Sequence, residues 1–317
     1  MRMSSVYPLK FKPIYKERVW GGRQLHQLFE RNFAGAHIGE SWEVCSSPYG
    51  MSVVANGIWQ GMTLAQLLHN YPQTIMGETF TSVQQFPLLV KFIDATAKLS
   101  IQVHPDDSYA RTVEQGMGKE EGWYVVAAKP NAKIVYGLNE HITQQEFVAA
   151  LQGDYLLDCL RFVAVNTGDM IYIPSGLVHA ICEGIVVYEV QQNSDITYRI
   201  YDYDRVGMNG KARETQVDKA LDVIKFGVSS TTEFHRSVIN GSYFSMSKHQ
   251  IDGALMEPDF GNLRIYCAVE GHGYMRYHTG EIALNPGDNL LVPAALPQVE
   301  FYGKLTLVKT TITGHSA

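Results

Sequence analysis

"GDMIYIPSGLVHA", residues 168–180, decides how the rest of this chain is read. Gly168-Asp169 makes a turn, Met170 to Ile173 a short apolar strand, and Pro174-Ser175-Gly176 a second turn. The run that follows presents His179. A histidine there is either one more buried ring or a ligand, and only partners elsewhere in the chain decide between the two. An echo, "GDNLLVPAALPQV" at 287–299, repeats Gly-Asp, four residues and Pro, with Leu296 to Gln298 where a histidine would fall. The pair reads as two related β-barrels of which only the first keeps its histidine, or as a chance recurrence of a Gly-Asp turn.

Working outward, the same texture fills the chain. FPLLVKFID, SIQVHP, WYVVAA, GIVVYEVQQ, LRIYCAVEG and NLLVPA are short strand-like runs punctuated by Gly, Pro and Asn. Helical signals are few: 63–71 behind Thr63, 105–118 with Pro and acids at its start, 143–153 with a Thr-x-x-Glu cap, and 214–227. Many short strands with few short helices predict a mainly β protein built of sandwiches or barrels. Strand-rich sequence resumes after the helix ending near 226, which places a domain boundary close to residue 235.

Composition narrows the function classes. Of 317 residues, 45% are hydrophobic and 18% charged, as in a soluble globular chain. No run reaches the roughly 18 apolar residues of a membrane span, and the N-terminus has no signal-peptide core. Cys45, Cys159, Cys182 and Cys267 are scattered without a CxxC, so the expected setting is reducing and cytoplasmic. A net charge of −6 without a Lys/Arg cluster argues against nucleic acid, while leaving room for an anionic small substrate.

Partners for His179 appear in "LSIQVHPDD", 99–107. Strand alternation sets Leu99, Ile101 and Val103 on an apolar face and Ser100, Gln102 and His104 on a polar one. In "KEEGWYVVAA", Glu121 runs in phase with Trp123 and Val125. Gln102, His104, Glu121 and His179 thus form a possible ligand set from neighbouring strands. Two imidazoles and a carboxylate suit zinc with a position left open, and iron or manganese would also fit.

Gly168-x5-Pro174-x-Gly176-x2-His179 resembles the second motif of the cupin superfamily, whose histidine is a metal ligand. Gln102-x-His104, with a Glu 17 residues later, is similar to the variant first motif of type I phosphomannose isomerases, especially the short bacterial form. GESWE (39–43), SIQVHPDD (100–107), KEEGWY (119–124), IPSGLVHAI (173–181) and QQNSDITYRIYDYDR (191–205) continue the resemblance in order. It implies two cupin-type (jelly-roll) barrels: 1–235, a catalytic metal-binding domain with a small helical insertion, and 236–317, a degenerate barrel without ligands. It implies interconversion of mannose 6-phosphate and fructose 6-phosphate with one Zn2+ per chain, held by Gln102, His104, Glu121 and His179. Gln102 either ligates or orients a water. Arg199 and Lys119 match the family's active-site arginine and lysine, and Ser100 sits where the family contacts phosphate. The large helical insertion of bigger members shrinks here to about 137–160.

Such an isomerisation moves a proton between adjacent carbons through an enediol, so it needs charge stabilisation on oxygen and a base. Glu189, sharing a strand face with Gln191 and Asn193, is read as that base or as a carboxylate paired with Arg199 or Lys119. Tyr198, Tyr201 and Tyr203 read as wall and core. Two other functions compete: another metallo-cupin enzyme of oxygenase type, and a non-catalytic sugar-phosphate-binding protein. The expected partner is a small sugar phosphate, with no nucleic acid and no membrane, for a monomer or homodimer.

Overall fold

Strand alternation and cap chemistry account for most of the architecture. The structure, a computed structural model, describes residues 6–78, 86–227, 237–258, 261–296 and 298–313. The boundary expected near residue 235 lies outside the described residues. In the first part of the chain run β1 (Ile14–Gly22), α1 (Gln24–Phe29), β2 (Ile38–Val44), α2 (Leu64–Asn70), α3 (Pro72–Met76) and β3 (Leu88–Ala95). There follow β4 (Ile101–Val103), α4 (Asp107–Tyr109), β5 (Glu121–Ala128), β6 (Lys133–Leu138), α5 (Gln144–Gln152), β7 (Leu160–Ala164) and β8 (Met170–Ile173). Then come β9 (His179–Ile181), β10 (Ile185–Gln192), β11 (Tyr198–Tyr201) and α6 (Val217–Val223). The last part is all strand: β12 (Val238–Asn240), β13 (Phe244–Glu257), β14 (Arg264–Tyr277), β15 (Gly280–Leu284), β16 (Asn289–Val292) and β17 (Val299–Ile312).

These strands pair antiparallel into three main sheets, ordered β1-β2-β3-β10-β5-β8, β11-β4-β9-β6-β7 and β12-β13-β17-β14-β15, with β16 on β14. They are open sheets facing one another, jelly-roll fashion, where closed barrels were expected. Trp20, Ile93, Trp123, Val125 and Val187 of the first sheet meet Ile134, Tyr136 and Ile181 of the second. Phe147 of α5 and Ala220 of α6 cover the back of the second sheet over Ile101, Val103 and Tyr198. The back of the first sheet (Val44, Phe92, Tyr188, Val190) packs on Phe244, Met246, Ile265 and Val308 of the third. The N-terminal segment joins that interface: Leu9 exchanges backbone bonds of 2.8 and 2.9 Å with Leu291. No helix among the described residues is long and apolar enough to cross a membrane.

The four expected helices are present. Thr63 and Thr143 form reciprocal capping boxes with Gln66 and Glu146, which satisfy otherwise orphaned N–H groups. The helix expected at 105–118 is shorter: α4 continues as a π turn, Ala110–Glu114, ended by left-handed Gln115 (φ 54°). Helix α1 has no side-chain cap of its own and escaped the sequence signals. Asp94, from β3, accepts the Gln24 N–H at 2.7 Å in its place.

The echoed motif folds alike in both copies. Gly168 and Gly287 are left-handed, at φ 92° and 87°. In one turn Asn166 N–H donates to Asp169 Oδ2 at 2.8 Å, and in the other Asn285 N–H donates to Asp288 Oδ2 at 2.9 Å.

Candidate metal centre

Cross-strand register assembles the site from two facing sheets. On the second sheet His179 of β9 pairs with Gln102 of β4, which pairs in turn with Arg199 of β11. On the first sheet Trp42, Lys91, Glu189, Trp123 and Ile171 stand in one row across β2, β3, β10, β5 and β8. The next row carries Leu89, Gln191, Glu121 and Ile173. Residues opposite one another across a sheet share a face, so both polar rows look at the second sheet.

Gly176 explains the turn before His179. It is left-handed (φ 86°), a Cβ would lie 2.8 Å from the Val223 carbonyl oxygen, and its N–H donates to the His104 carbonyl at 2.9 Å. A side chain would be strained and crowded there. The same turn offers the Leu177 carbonyl to His179 Nδ1 at 2.9 Å, while the Ile196 carbonyl takes His104 Nδ1 at 3.1 Å. With Nδ1–H donated in both rings, each Nε2 is left with a lone pair.

Both lone pairs face the Glu121 carboxylate: His104 Nε2 lies 3.0 Å from Oε1 and His179 Nε2 3.6 Å from Oε2. His104 Nε2 has no hydrogen-bond partner in this buried position. Burial, helped by Lys119, pushes the His104 imidazole down to about 3, and burial also lowers His179. Burial opposes ionisation of Glu121, yet the Lys119 ammonium beside it holds it well below the usual carboxylate range. Two neutral imidazoles and a carboxylate therefore point acceptors at a common space, with ligand atoms within 4.8 Å of one another. A cation is what such an arrangement fits. Oriented Nδ1–H bonds to backbone carbonyls are the usual support of metal-ligating histidines. The amide Nε2 of Gln102 is 3.3 Å from His179 Nε2, and turning that amide over would add an oxygen to the set.

The centre forms the wall of a cavity of about 1010 Å³, bordered by Ser100, Gln102, Lys119, Glu121, Glu189 and Arg199. The two histidines lie just behind that wall. Lys119 Nζ is 3.2 Å from Glu121 Oε1 and 3.4 Å from Thr197 Oγ1. Arg199 Nη1 donates to the Glu214 carbonyl at 2.8 Å, and its buried Nε has no hydrogen-bond partner. Burial and Arg213 lower its pKa.

Glu189 does point inward, but neither Arg199 nor Lys119 is its partner. Lys91 Nζ lies 2.9 Å from its Oε1, and Trp123 Nε1 donates to its Oε2 at 2.8 Å and to Glu121 Oε2 at 3.2 Å. Burial and the neighbouring Glu121 raise the Glu189 carboxyl above its ordinary value despite Lys91. Burial works against Lys91 too, but Glu189 and Glu40 raise it. Lys91 also serves Glu40, whose carboxyl is buried yet held at about 2 by Lys91 and Arg18. Leu99 differs from expectation as well. It joins the core between the two sheets, apart from Ile101 and Val103, because β4 begins only at Ile101 and alternation does not reach back to it.

Sequence reasoning gave no role to Lys91, Trp123 or Arg18, and it weighed Glu40 and Glu43 as a carboxylate pair, whereas Glu40 pairs with Arg18 and Glu43 with Arg31. The signal for Lys91 was a single charge inside the apolar run FPLLVKFID, since a lysine on a fully buried strand requires a partner.

Comparison with known proteins follows the same lines. Residues 9–141 match the family described as phosphomannose isomerase type I, catalytic domain, and residues 233–312 match mannose-6-phosphate isomerase, cupin domain. The chain is 37% identical to the mannose-6-phosphate isomerase ManA of Bacillus subtilis, over 93% of this chain and 96% of that protein. It is 33% identical to a mannose-6-phosphate isomerase of Streptococcus mutans, over 95% of this chain and 97% of that one. A crystal structure of the mannose 6-phosphate isomerase from Bacillus subtilis superposes with a TM-score of 0.88 at 35% identity, covering 96% of this chain and 99% of its own.

Proposed function

Because this chain belongs to the type I phosphomannose isomerase family, we propose that it interconverts mannose 6-phosphate and fructose 6-phosphate through an enediol. The observation that carries the reading is the trio His104, Glu121 and His179, with acceptor atoms converging beside a cavity that also holds Lys119, Glu189 and Arg199. The trio would hold one divalent ion, zinc by its nitrogen and oxygen donors, with Gln102 as fourth ligand or as the group that orients a water. When bound, that ion supplies Lewis-acid polarisation of the sugar's carbonyl oxygen.

The chain's own side chains do the rest. Glu189 takes the proton from C2 of the open-chain aldose and returns it to C1, while the hydroxyl proton on O2 passes to O1, so that the C1 carbonyl becomes a hydroxyl and C2 the ketone. Burial suits it to that task, because a carboxyl raised above its ordinary value is a stronger base near neutral pH. Lys91 and Trp123 fix the carboxylate in place. Arg199 offers a guanidinium to the oxygen on which negative charge develops. Lys119 and Ser100 contact the phosphate, with Lys119 supplying positive charge to its dianion. Residues 1–235 form the catalytic unit and 236–317 a degenerate cupin domain without ligands among its described residues. A cytoplasmic monomer or homodimer completes the proposal. The test is a coupled assay for fructose 6-phosphate formed from mannose 6-phosphate, with and without chelator. Turnover abolished by chelator and restored by zinc is expected. Turnover indifferent to chelator, or equal efficiency on free mannose, overturns it.

A further inference from the structure

Lys119 and Glu121 lie on the short stretch 118–122, and the third sheet takes part in fixing that stretch. Gly122 is packed so closely that a Cβ would sit 2.5 Å from Met246 Sδ and 2.8 Å from Phe244 Cε2, both on β13. Two residues earlier, the Glu120 carboxylate accepts the Tyr243 N–H at 2.7 Å and the Tyr172 hydroxyl at 2.6 Å. A Cβ on Gly241 would lie 2.6 Å from the same carboxylate. The Tyr243 hydroxyl donates to Asp107 Oδ2 at 2.5 Å, and Asp107 Oδ1 accepts the Gly118 N–H at 2.9 Å and Gln192 Nε2 at 3.2 Å. Gln192 closes the circuit, taking the Glu120 N–H on its Oε1 at 2.9 Å.

The circuit reaches the chain at Gly118 and Glu120, the residues flanking Lys119, and none of its bonds touches the side chain of Lys119 or Glu121. Tyr243 is the member that enters from the third sheet. One residue, through its backbone N–H to Glu120 and its ring hydroxyl to Asp107, which takes the Gly118 N–H, acts on both sides of Lys119. From this geometry we propose that Tyr243 is a positioning residue. Through Asp107 and Glu120 it holds the backbone of 118–121 so that Lys119 faces the substrate phosphate and Glu121 faces the metal. The third sheet, which carries no ligand among its described residues, thereby contributes to the site. The inference rests on the roles given above to Lys119 and Glu121.

The test uses the full-length protein and two readouts, zinc affinity by chelator competition and kcat/KM for mannose 6-phosphate. Tyr243→Phe keeps the ring and removes the bond to Asp107. Zinc affinity is expected to weaken on the order of tenfold, the size seen when support of a ligand is lost, and kcat/KM to fall on the same order. In a Lys119→Ala background the same change is expected to raise KM little further, because its route to the phosphate is already gone. Asp107→Asn, which leaves Tyr243 in place, is expected to reproduce the effect and serves if Tyr243→Phe does not fold. Tyr302→Phe, elsewhere on the third sheet, is expected to change neither readout. Parent-like zinc affinity and kcat/KM in both variants overturn the proposal, as does full additivity with Lys119→Ala. If the parent protein turns nothing over, the isomerase reading has failed, and the zinc competition still decides whether Tyr243 positions Glu121.

Discussion

Replacing Lys91 by methionine keeps a stem of similar length and removes the charge beneath the site. Lys91 is 8% exposed and Glu189 2%, with 2.9 Å between their charged atoms. Without the lysine, Glu189 keeps the hydrogen bond from Trp123 but loses its counter-charge, while Glu40 still has Arg18. Breaking one side of a buried pair costs about 3–5 kcal/mol, whereas an exposed pair is worth about 0–1 kcal/mol. The burial of both partners places Lys91→Met in the first range. Urea unfolding of chelated protein separates the two cases, because chelation removes any stabilisation from bound metal. Lys91→Met with Glu189→Gln abolishes both charges and is expected to recover at least half of the loss. A single-variant loss under about 1 kcal/mol, the value for an exposed pair, would refute the reasoning, as would a double variant no more stable than the single.

Three further outcomes are expected. His179→Ala should strip most of the bound metal and abolish turnover while leaving the circular dichroism of the fold largely intact; a variant with full metal content removes His179 from the ligand set. Arg199→Ala should lower kcat and kcat/KM together by about 10²–10³-fold, if its loss resembles that of one oxyanion donor, with metal content unchanged; a raised KM at constant kcat would reassign it to phosphate binding. The third concerns acid. His104, held near 3, stays neutral in the folded metal-free chain, whereas the unfolded chain takes up protons near pH 6.5, and the lowering of His179 acts in the same direction. The stability present above pH 6.5 should therefore be lost on acidification, at about 1.4 kcal/mol per pH unit for His104, down toward pH 3. Chelated His104→Asn should show a visibly shallower slope between pH 6.5 and 5, and an identical slope would sink the assignment.

The convergence of His104, Glu121 and His179 was legible because its signals are local. Alternation around Gln102 and His104, the phase of Glu121 with Trp123, and the Pro-x-Gly turn before His179 each stay within one strand and its neighbouring turn. The partner of Glu189 was not legible, because Lys91 sits on another strand some hundred positions away and reaches Glu189 only through sheet register. Leu99 was misplaced for a related reason: alternation holds only where the strand is formed. Helix α1 was missed because its cap, Asp94, belongs to β3. What the sequence hid is in each case a contact between elements.

The apolar cluster behind the first sheet has a consequence for how the chain comes apart. Leu9, Val44, Phe92 and Tyr188 share one interior with Phe244, Met246, Ile265 and Val308, and all of them are fully buried. Leu9 is also stitched by backbone bonds to Leu291. Each half has apolar clusters of its own, but this one is shared between them, so the two are not independent folding units despite the repeated turn they share. A calorimetric scan should record one cooperative transition across both halves. A fragment ending before β12 would expose a broad apolar sheet face and self-associate, so the ligand-bearing half cannot be trimmed to a minimal enzyme.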